Sequence, residues 1–354
     1  MHLWKLSLNS CVTALLLLAS ALPARARMAL IVAEPFGSFG TMMPEGHASI
    51  YLPDLCVETA VKLRPCQPGE PGAVVSRYHD LRHPELDWLA FPLPVFLYGT
   101  TNPGQIPRFM TARAEAEMRE QYREQNLLDI IPDQTDRRGH IHKPPYGDWE
   151  EGIGAAFDRR LLMYGFDTTP EQDATMLAWL NDRPNRRAYT LGRANCADFA
   201  ADLLRLALPP DTIHRNVLAD YDMTTPKQLA RLVGAYGAAH PELHPTVYDI
   251  PQLPGTLRRS RPIRGAAEQF LKTKRYLFAL LVLQPEVILA DWIVYERLGK
   301  WTPGLDASVI HPEDWNSETL RACWSQPAVD GPAPGFSSSD GSLVGSSFSL
   351  EPQP

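Results

Sequence analysis

The chain has 354 residues, enough for two modest domains or for one domain with large insertions. Its 44% hydrophobic and 21% charged residues indicate a globular protein that can bury a sizeable core. The formal net charge of -7 argues against a nucleic-acid binder, because such proteins normally present a basic face. The 33 prolines, well above the usual share of about 5%, predict long irregular connections between regular elements.

The first 26 residues predict a secretory signal peptide. Lys5 is followed by the apolar run CVTALLLLASAL, and Ala24 and Ala26 occupy the small-residue positions of a cleavage site. The run has about 12 residues, fewer than the roughly 20 that a helix needs to cross a bilayer. Residues 1–26 are therefore predicted to be removed on export to the periplasm or cell envelope, and an uncleaved anchor is the alternative.

Four cysteines follow the predicted signal peptide, and an even number in an oxidising compartment permits two disulfides. Cys56 and Cys66 are close in the sequence and are predicted to form a local disulfide. That leaves Cys196 and Cys323, whose pairing is the structural alternative to a reactive thiol at Cys196.

Residues 28–99 are predicted to be rich in β-strands. The apolar run 88–99 is interrupted by Pro92 and Pro94, so it predicts at most an edge strand or two short pieces. Clear strand-forming runs occur at 28–37, 47–52, 57–64 and 72–78.

Beyond residue 99 the predicted elements are mainly helical. The segment from about 100 to 188 is predicted to be a large helical insertion, with helices at 110–128, 150–166 and 169–182. Residues 209–323 are predicted to form a mainly helical C-terminal region. The stretch 324–354, rich in Gly, Ser and Pro, predicts a disordered tail.

One apolar stretch, residues 276–295, has the length of a membrane span. Gln284, Pro285, Glu286 and Asp291 interrupt it, and charges near the centre of a bilayer are costly. The pattern therefore favours two packed core helices hinged at Pro285, with peripheral contact to a membrane as the alternative.

The segment GRANCADFAADLL, residues 192–204, predicts an amphipathic helix that begins at Cys196. Asn195 is a strong N-cap residue, and Asp198 three positions later gives a variant of the capping box. Cys196 would then lie in the first helical turn, where free backbone N–H groups and the helix dipole stabilise a thiolate. We therefore expect the pKa of Cys196 to be lowered, as a nucleophilic cysteine requires.

His47 offers a base for such a thiol. In a strand over 47–52 the side chains of His47, Ser49 and Tyr51 share one face, so the imidazole has polar neighbours. A third group that orients the imidazole is most naturally supplied by the adjacent strand. Glu58, at a distance that suits a hairpin partner, is the first candidate, and His79 is the second.

Four segments in this order, GHASIYL, CVETAV, PGAVVSRY and YTLGRANCADFAADLL, resemble the circularly permuted papain-like hydrolases. That group includes lecithin retinol acyltransferase-like enzymes and bacterial permuted relatives of NlpC-type cell-wall peptidases. In these proteins the histidine strand precedes the nucleophile helix, and a third polar residue lies on the strand after the histidine. The resemblance implies His47 as base, Glu58 as orienting acid and Cys196 as nucleophile.

The resemblance also implies an α+β fold for residues 27–208, with an antiparallel sheet packed on the helix that carries the nucleophile. It implies an exported thiol-dependent hydrolase or acyltransferase that acts on an amide, ester or thioester bond. The substrate is expected to be a cell-wall peptide or a lipid- or lipoprotein-linked acyl group, and no cofactor, metal or nucleic acid is predicted. The alternative is a non-catalytic envelope binding or scaffolding protein of the same fold, with Cys196 buried or disulfide-bonded.

Overall fold

The structure, a computed structural model, describes residues 26–36, 45–79, 86–135, 138–142, 148–301 and 307–312. Residues 1–25 of the predicted signal peptide, Cys323 and the predicted tail lie outside the described residues. Ala26, predicted to be the last residue removed, is buried in a central strand, which does not fit cleavage after it. Buried apolar side chains come from almost the whole described range, from Ala26 to Ile310. Within that range, none of the helices has the length and apolar character that a bilayer span requires.

A seven-stranded sheet forms the centre of the molecule. Neighbouring strands are antiparallel except for β10 and β11, which are parallel. From one edge to the other, the strands are β11 (Ser308–Val309), β10 (Thr246–Ile250), β9 (Leu161–Thr168), β1 (Ala26–Ala33), β2 (His47–Leu52), β5 (Ala73–Ser76) and β6 (Leu89–Pro92). Two separate hairpins pair β3 (Leu55–Thr59) with β4 (Lys62–Pro65), and β7 (Gln134–Thr135) with β8 (Ile141–His142).

Helices cover both faces of this sheet. Helices α4, α5 and α6 pack on one face, and α1 and α3 pack on the other. The α-helices of the described residues are α1 (Leu93–Tyr98), α2 (Ala112–Asn126), α3 (Ala155–Asp158), α4 (Pro170–Asn181), α5 (Cys196–Ala207), α6 (Pro226–Ala239), α7 (Ala266–Lys272), α8 (Lys274–Leu283) and α9 (Pro285–Val294).

The central strands are buried on both faces, so their side chains alternate between two cores. Leu30 of β1 and Ile50 of β2 belong to the core under α4, α5 and α6. Ile31 and Tyr51 belong to the opposite core, under α1 and α3. The sheet is therefore the middle one of three layers.

The mixed α+β fold class agrees with the sequence prediction, and several elements lie where the pattern placed them. Strands β2 and β5 and helices α2, α4 and α5 are confirmed. Helix α4 begins at Pro170 after the N-cap Thr169, and the side chain of Gln172 completes a capping box. The break between α8 and α9 confirms the predicted hinge at Pro285.

Two predictions of local structure were wrong. Residues 57–64 do not form one strand but belong to the β3–β4 hairpin, which stands apart from the main sheet. Residues 161–168, assigned in part to a predicted helix, form β9 between β1 and β10. The run LLMYGF is apolar on both sides, and its burial in the sheet outweighs its helical spacing.

The predicted C-terminal region is not purely helical, because it contributes β10 and β11 to the main sheet. Strand β10 pairs with β9, which lies inside the predicted helical insertion. The sheet therefore joins the predicted catalytic part, the insertion and the C-terminal region through one set of hydrogen bonds.

The predicted disulfide between Cys56 and Cys66 is present. Cys56 lies in β3 and Cys66 follows β4, so the bond closes the β3–β4 hairpin at its open end. Cys196 carries a free thiol, and Cys323, its predicted alternative partner, lies outside the described residues.

Removing the Cys56–Cys66 bond is expected to lower the free energy of unfolding by about 3 kcal/mol, because a crosslink over a sequence separation of 10 restricts the unfolded chain. Urea denaturation of the Cys56→Ser/Cys66→Ser variant measures the loss, and added reductant should then change nothing further. A loss under about 1 kcal/mol would show that other contacts hold the hairpin. The hydrogen bonds between Leu63 and Asn181, at 3.0 and 2.8 Å, are the first of those contacts.

Candidate active site

Cys196 is the first residue of helix α5, as the sequence predicts. The Asn195 side chain accepts the Asp198 N–H at 2.8 Å, and the Asp198 carboxylate accepts the Asn195 N–H at 3.3 Å, which completes the predicted capping box. The apolar face of α5, with Phe199 and Leu203, packs in the core that β2 shares. This packing holds the Cys196 backbone where the helix meets the sheet.

Two further contacts hold the start of α5 on its neighbours. Arg77, which is fully buried, donates to the Asn195 carbonyl at 3.2 Å and to the Asp87 carboxylate at 2.6 Å. The Thr224 hydroxyl donates to Asp198 Oδ1 at 2.6 Å. Because these polar groups are buried and paired, the contacts that stabilise the fold also set the position of the thiol.

The Cys196 thiol is buried, with only 6% of the residue exposed. Burial raises the pKa of Cys196 to about 11, although the backbone N–H groups of Ala48 and Ala197 donate hydrogen bonds that lower it. The expected lowering of this pKa at the helix N-terminus was wrong, because desolvation outweighs it. The resting form at neutral pH is therefore the neutral thiol.

His47 begins strand β2, and its imidazole lies on the face that Tyr51 shares. Gly46 before it has a φ of +76°, and a Cβ there would lie 2.2 Å from the carbonyl oxygen of Ala33, so the entry into the strand requires glycine. The imidazole stacks on Tyr78 with ring centroids 5.1 Å apart. Burial lowers the pKa of His47 to about 4, so the ring is neutral at neutral pH.

Ser76 determines which nitrogen of His47 carries the proton. The Ser76 Oγ lies 2.7 Å from His47 Nε2 and 2.7 Å from the carbonyl oxygen of Ala48. A carbonyl oxygen only accepts, so the single hydroxyl proton of Ser76 points to Ala48. The Oγ must then accept from Nε2–H, which leaves the lone pair of the neutral ring on Nδ1.

An ionised carboxylate faces Nδ1 of His47. Glu151 Oε2 lies 3.9 Å from this nitrogen and 2.8 Å from the guanidinium of Arg159. Burial by itself raises the pKa of Glu151, but Arg159 and His47 bring that pKa below its ordinary value. Glu151 is therefore charged at neutral pH and can stabilise a proton that Nδ1 accepts.

Glu58 does not lie in the position predicted for the orienting acid. It is exposed on the β3–β4 hairpin and accepts a 3.0 Å hydrogen bond from Lys62. The sheet neighbours of β2 are β1 and β5, so the adjacent strand supplies Ser76 instead. His79, the second candidate, is exposed and packs edge-on against Tyr189 with ring centroids 5.2 Å apart.

A cleft of about 350 Å³ opens on Cys196, and its surface is mostly apolar. Burial, with Asp220 nearby, raises the pKa of Glu45 in this cleft to about 7, so its carboxyl can hold a proton at neutral pH. The residues that line the cleft with Cys196 include Glu45, His79, Tyr189, Leu191 and Met223.

Sequence reasoning missed Ser76, Glu151 and Arg159. A signal for Ser76 exists, because in a strand over 72–78 it shares a face with Tyr78. Glu151 carries no local signal, because it lies in a short 3-10 turn (Asp148–Gly152) and comes near His47 only through the tertiary fold.

Alkylation of Cys196 by iodoacetamide is expected to accelerate about tenfold per pH unit between pH 6 and 9, because the thiolate reacts and its pKa is raised to about 11. Mass spectrometry of the Cys196 peptide measures the rate. The same peptide in urea is the control, since an unfolded thiol with a pKa of about 8.5 should level off near that pH. A plateau below pH 7 in the folded protein would contradict the neutral resting thiol.

Comparisons with family models, with curated proteins and with solved structures gave no match. The functional argument therefore rests on the geometry of His47, Ser76, Glu151 and Cys196, since a fold by itself does not define an activity.

Proposed function

We propose that the chain is an exported cysteine hydrolase or acyltransferase with a permuted papain-like organisation and Cys196 as its nucleophile. One observation carries the proposal: the Cys196 sulfur accepts the N–H of Ala48, the residue next to His47. The thiol and the imidazole are thereby both attached to the start of β2, and a cleft opens on Cys196, although His47 is not among the residues that line it. A thiol, a base and room for a substrate are what nucleophilic acyl transfer requires.

In the proposed reaction, His47 Nδ1 takes the thiol proton while the Cys196 sulfur attacks the carbonyl carbon of an amide, ester or thioester. A C–S bond forms, and the carbonyl π electrons become an oxyanion that backbone N–H groups at the start of α5 stabilise. The oxyanion collapses, the bond to the leaving group breaks, and the leaving nitrogen, oxygen or sulfur takes the proton from Nδ1–H. Water or another acceptor then removes the acyl group from Cys196 by the same steps.

Ser76 and Glu151 act through His47 in this scheme. Ser76 keeps the proton of the neutral ring on Nε2, so that Nδ1 can accept the thiol proton. Glu151 stabilises the imidazolium that forms, as the acid of a triad does, and Arg159 keeps Glu151 ionised. This assignment puts Glu151 in the role that the sequence resemblance gave to Glu58.

The cleft favours an acyl chain over a polar peptide as the transferred group. Leu191, Met223 and Pro226 contribute apolar surface beside Cys196. Covering apolar surface stabilises a bound hydrocarbon by about 25 cal/mol per Å². Lipid- or lipoprotein-linked acyl groups are therefore the first proposed substrates, and cell-wall peptides the second.

An oxidising compartment is the proposed location. The Cys56–Cys66 disulfide supports this, because such bonds persist mainly in exported proteins. The predicted signal peptide points to the same compartment, the periplasm or cell envelope.

Mass spectrometry of the acylated protein tests the proposed function. The chain is incubated separately with p-nitrophenyl butyrate, p-nitrophenyl octanoate, an octanoyl thioester and crosslinked cell-wall peptides, then quenched in acid and digested. We expect an acyl group on the Cys196 peptide, formed faster from the octanoyl than from the butyryl ester, and none on the Cys196→Ala variant. An intact fold without an adduct from any donor would contradict the proposal and favour a non-catalytic binding protein.

A further inference from the structure

The hairpin of α8 and α9 exposes a large apolar surface. Its large aliphatic and aromatic side chains are at least half exposed at seven positions, up to 76% at Leu283. This differs from the sequence expectation that these two helices belong to the core. A contiguous exposed apolar patch on a folded protein marks an interaction site.

Of the seven exposed residues, Leu283 at the end of α8 falls outside the pattern, and the other six follow the spacing of one face of their helix. In both helices they stand at positions i, i+3 and i+4, which lie side by side on an α-helix. They are Phe278, Leu281 and Val282 in α8, and Leu289, Trp292 and Ile293 in α9. Each helix therefore presents outward the kind of face that an ordinary surface helix buries.

The rest of the protein holds the hairpin from its other side. Asp291 of α9 is buried and accepts a 2.8 Å hydrogen bond from the Tyr221 hydroxyl. Lys272 of α7 donates to the Tyr295 hydroxyl, directly after α9, at 3.0 Å. Tyr221 shortly precedes Met223 of the cleft wall. The apolar face is thus a fixed outward surface that is connected to the cleft.

The distribution of charge favours an anionic lipid surface as the partner. Residues 272–300 contain five basic and three acidic residues, although the whole chain has a formal net charge of -7. Lys272, Lys274 and Lys300 are exposed at the base of the hairpin, outside the apolar positions, and Lys272 and Lys300 pair there with Glu268 and Glu296. An apolar face with cations at its border matches acyl chains beneath a layer of anionic headgroups.

The dimensions of the hairpin define how it meets such a surface. Helices α8 and α9 have 10 residues each, a length of about 15 Å against the roughly 30 Å of a hydrocarbon core. Insertion by the tip would carry Gln284 and Glu286 into hydrocarbon, which is costly. A hairpin that lies flat in the interface keeps Gln284 and Glu286 at the level of the headgroups and buries the apolar faces of both helices in the lipid.

We propose that the α8–α9 hairpin seats the protein on an anionic lipid surface, with both helices flat in the interface. The proposal uses none of the chemistry of Cys196, and so it goes beyond the proposed function. The connection through Asp291 and Tyr221 brings the cleft wall close to the surface that the hairpin occupies.

Vesicle binding of the full chain tests the proposal. Co-sedimentation is measured with vesicles of phosphatidylcholine alone and with 30% phosphatidylglycerol, using the chain and two triple variants. The hairpin variant is Phe278→Ser/Val282→Ser/Trp292→Ser. The matched control is Phe109→Ser/Val217→Ser/Leu218→Ser, whose apolar side chains are also more than half exposed but lie elsewhere in the chain. We expect partitioning into anionic vesicles to fall at least about tenfold in the hairpin variant and less than about twofold in the control.

The fluorescence of Trp292 provides a second readout. It reports on α9 itself, whether or not the apolar run at residues 11–22 also binds the vesicles. Vesicles with brominated acyl chains quench tryptophan only at the interface or below it. The difference in emission between the chain and its Trp292→Phe variant isolates this residue. We expect that component to be quenched by brominated lipid.

Four outcomes would overturn the proposal, the last of them specific to the charge of the lipid. The first is that brominated vesicles, with or without phosphatidylglycerol, leave the fluorescence emission of Trp292 unquenched. The second is equal loss of partitioning in the hairpin and control variants. The third is that the unaltered chain binds no vesicles but self-associates, and that the hairpin variant no longer self-associates. This result would identify a second copy of the chain as the partner. Equal binding to phosphatidylcholine alone would overturn the role of anionic headgroups. Acylation of Cys196 by the water-soluble butyryl ester should be the same in all these variants, so the two proposals fail separately.

Discussion

The Ser76→Ala variant is expected to lose about 10²–10⁴-fold in kcat/KM, measured with the best acyl donor from the adduct assay. Without the Ser76 oxygen, Nε2–H of His47 has no acceptor at 2.7 Å. The proton of the neutral ring then moves to Nδ1, where the ionised Glu151 carboxylate lies 3.9 Å away. A protonated Nδ1 cannot take the thiol proton, so the attacking thiolate is not formed.

Ser49→Ala is the matched control for this prediction. Ser49 is also buried on the same side of the sheet, but its hydroxyl has no hydrogen-bond partner among the described residues. Removing an unpaired buried hydroxyl is close to neutral for stability, and we expect kcat/KM within about twofold of the unaltered chain. Long-range ¹H–¹⁵N spectra of the imidazole rings report the tautomer directly. An Nε2–H ring of His47 that persists in Ser76→Ala with full activity would contradict the assignment.

The Glu151→Gln variant is expected to lose about 3–5 kcal/mol of the free energy of unfolding, because it leaves the guanidinium of Arg159 buried without its carboxylate. Arg159 is 2% exposed and donates to Glu151 at 2.8 Å. Urea denaturation measures the loss.

A double variant and a surface pair separate this effect from a general loss of packing. In Glu151→Gln/Arg159→Met both charges are gone, and we expect much of the lost stability to return. Glu117→Gln breaks an exposed pair of similar length, 2.7 Å to Arg113, and should cost less than about 1 kcal/mol. If Glu151→Gln also lowers the free energy of unfolding by less than about 1 kcal/mol, water or another group compensates the buried charge of Arg159.

The local part of the candidate site could be predicted from the sequence. Asn195, Cys196 and Asp198 follow the rules of helix capping, which depend on residues a few positions apart. The alternation of β2 is as predicted, but the face that His47 shares with Tyr51 packs in an apolar core, and the polar neighbour of the imidazole is Ser76 of β5. These features depend on backbone geometry that neighbouring residues determine.

The groups that complete the site depend on long-range packing. Ser76 meets His47 because β5 pairs with β2, whereas the sequence suggested the nearer hairpin strand that carries Glu58. Glu151 approaches from the predicted insertion, and no periodic pattern links it to β2. The pKa of Cys196 likewise follows from burial by the whole fold rather than from its place in a helix, so the local argument gave the wrong direction.

Strand β1 lies in the middle of the sheet although it comes first among the described strands. It pairs Ala26 with Thr168 and Ala33 with Leu161, and β9 in turn pairs with β10. Contacts between segments so distant in the chain require the closure of long loops and therefore form slowly. Until β9 is available, the edge of β1 that β9 covers in the finished sheet has no strand beside it. Such an unpaired strand edge is a template for pairing with other chains, so misassembly of this sheet is favoured until β9 has paired with β1.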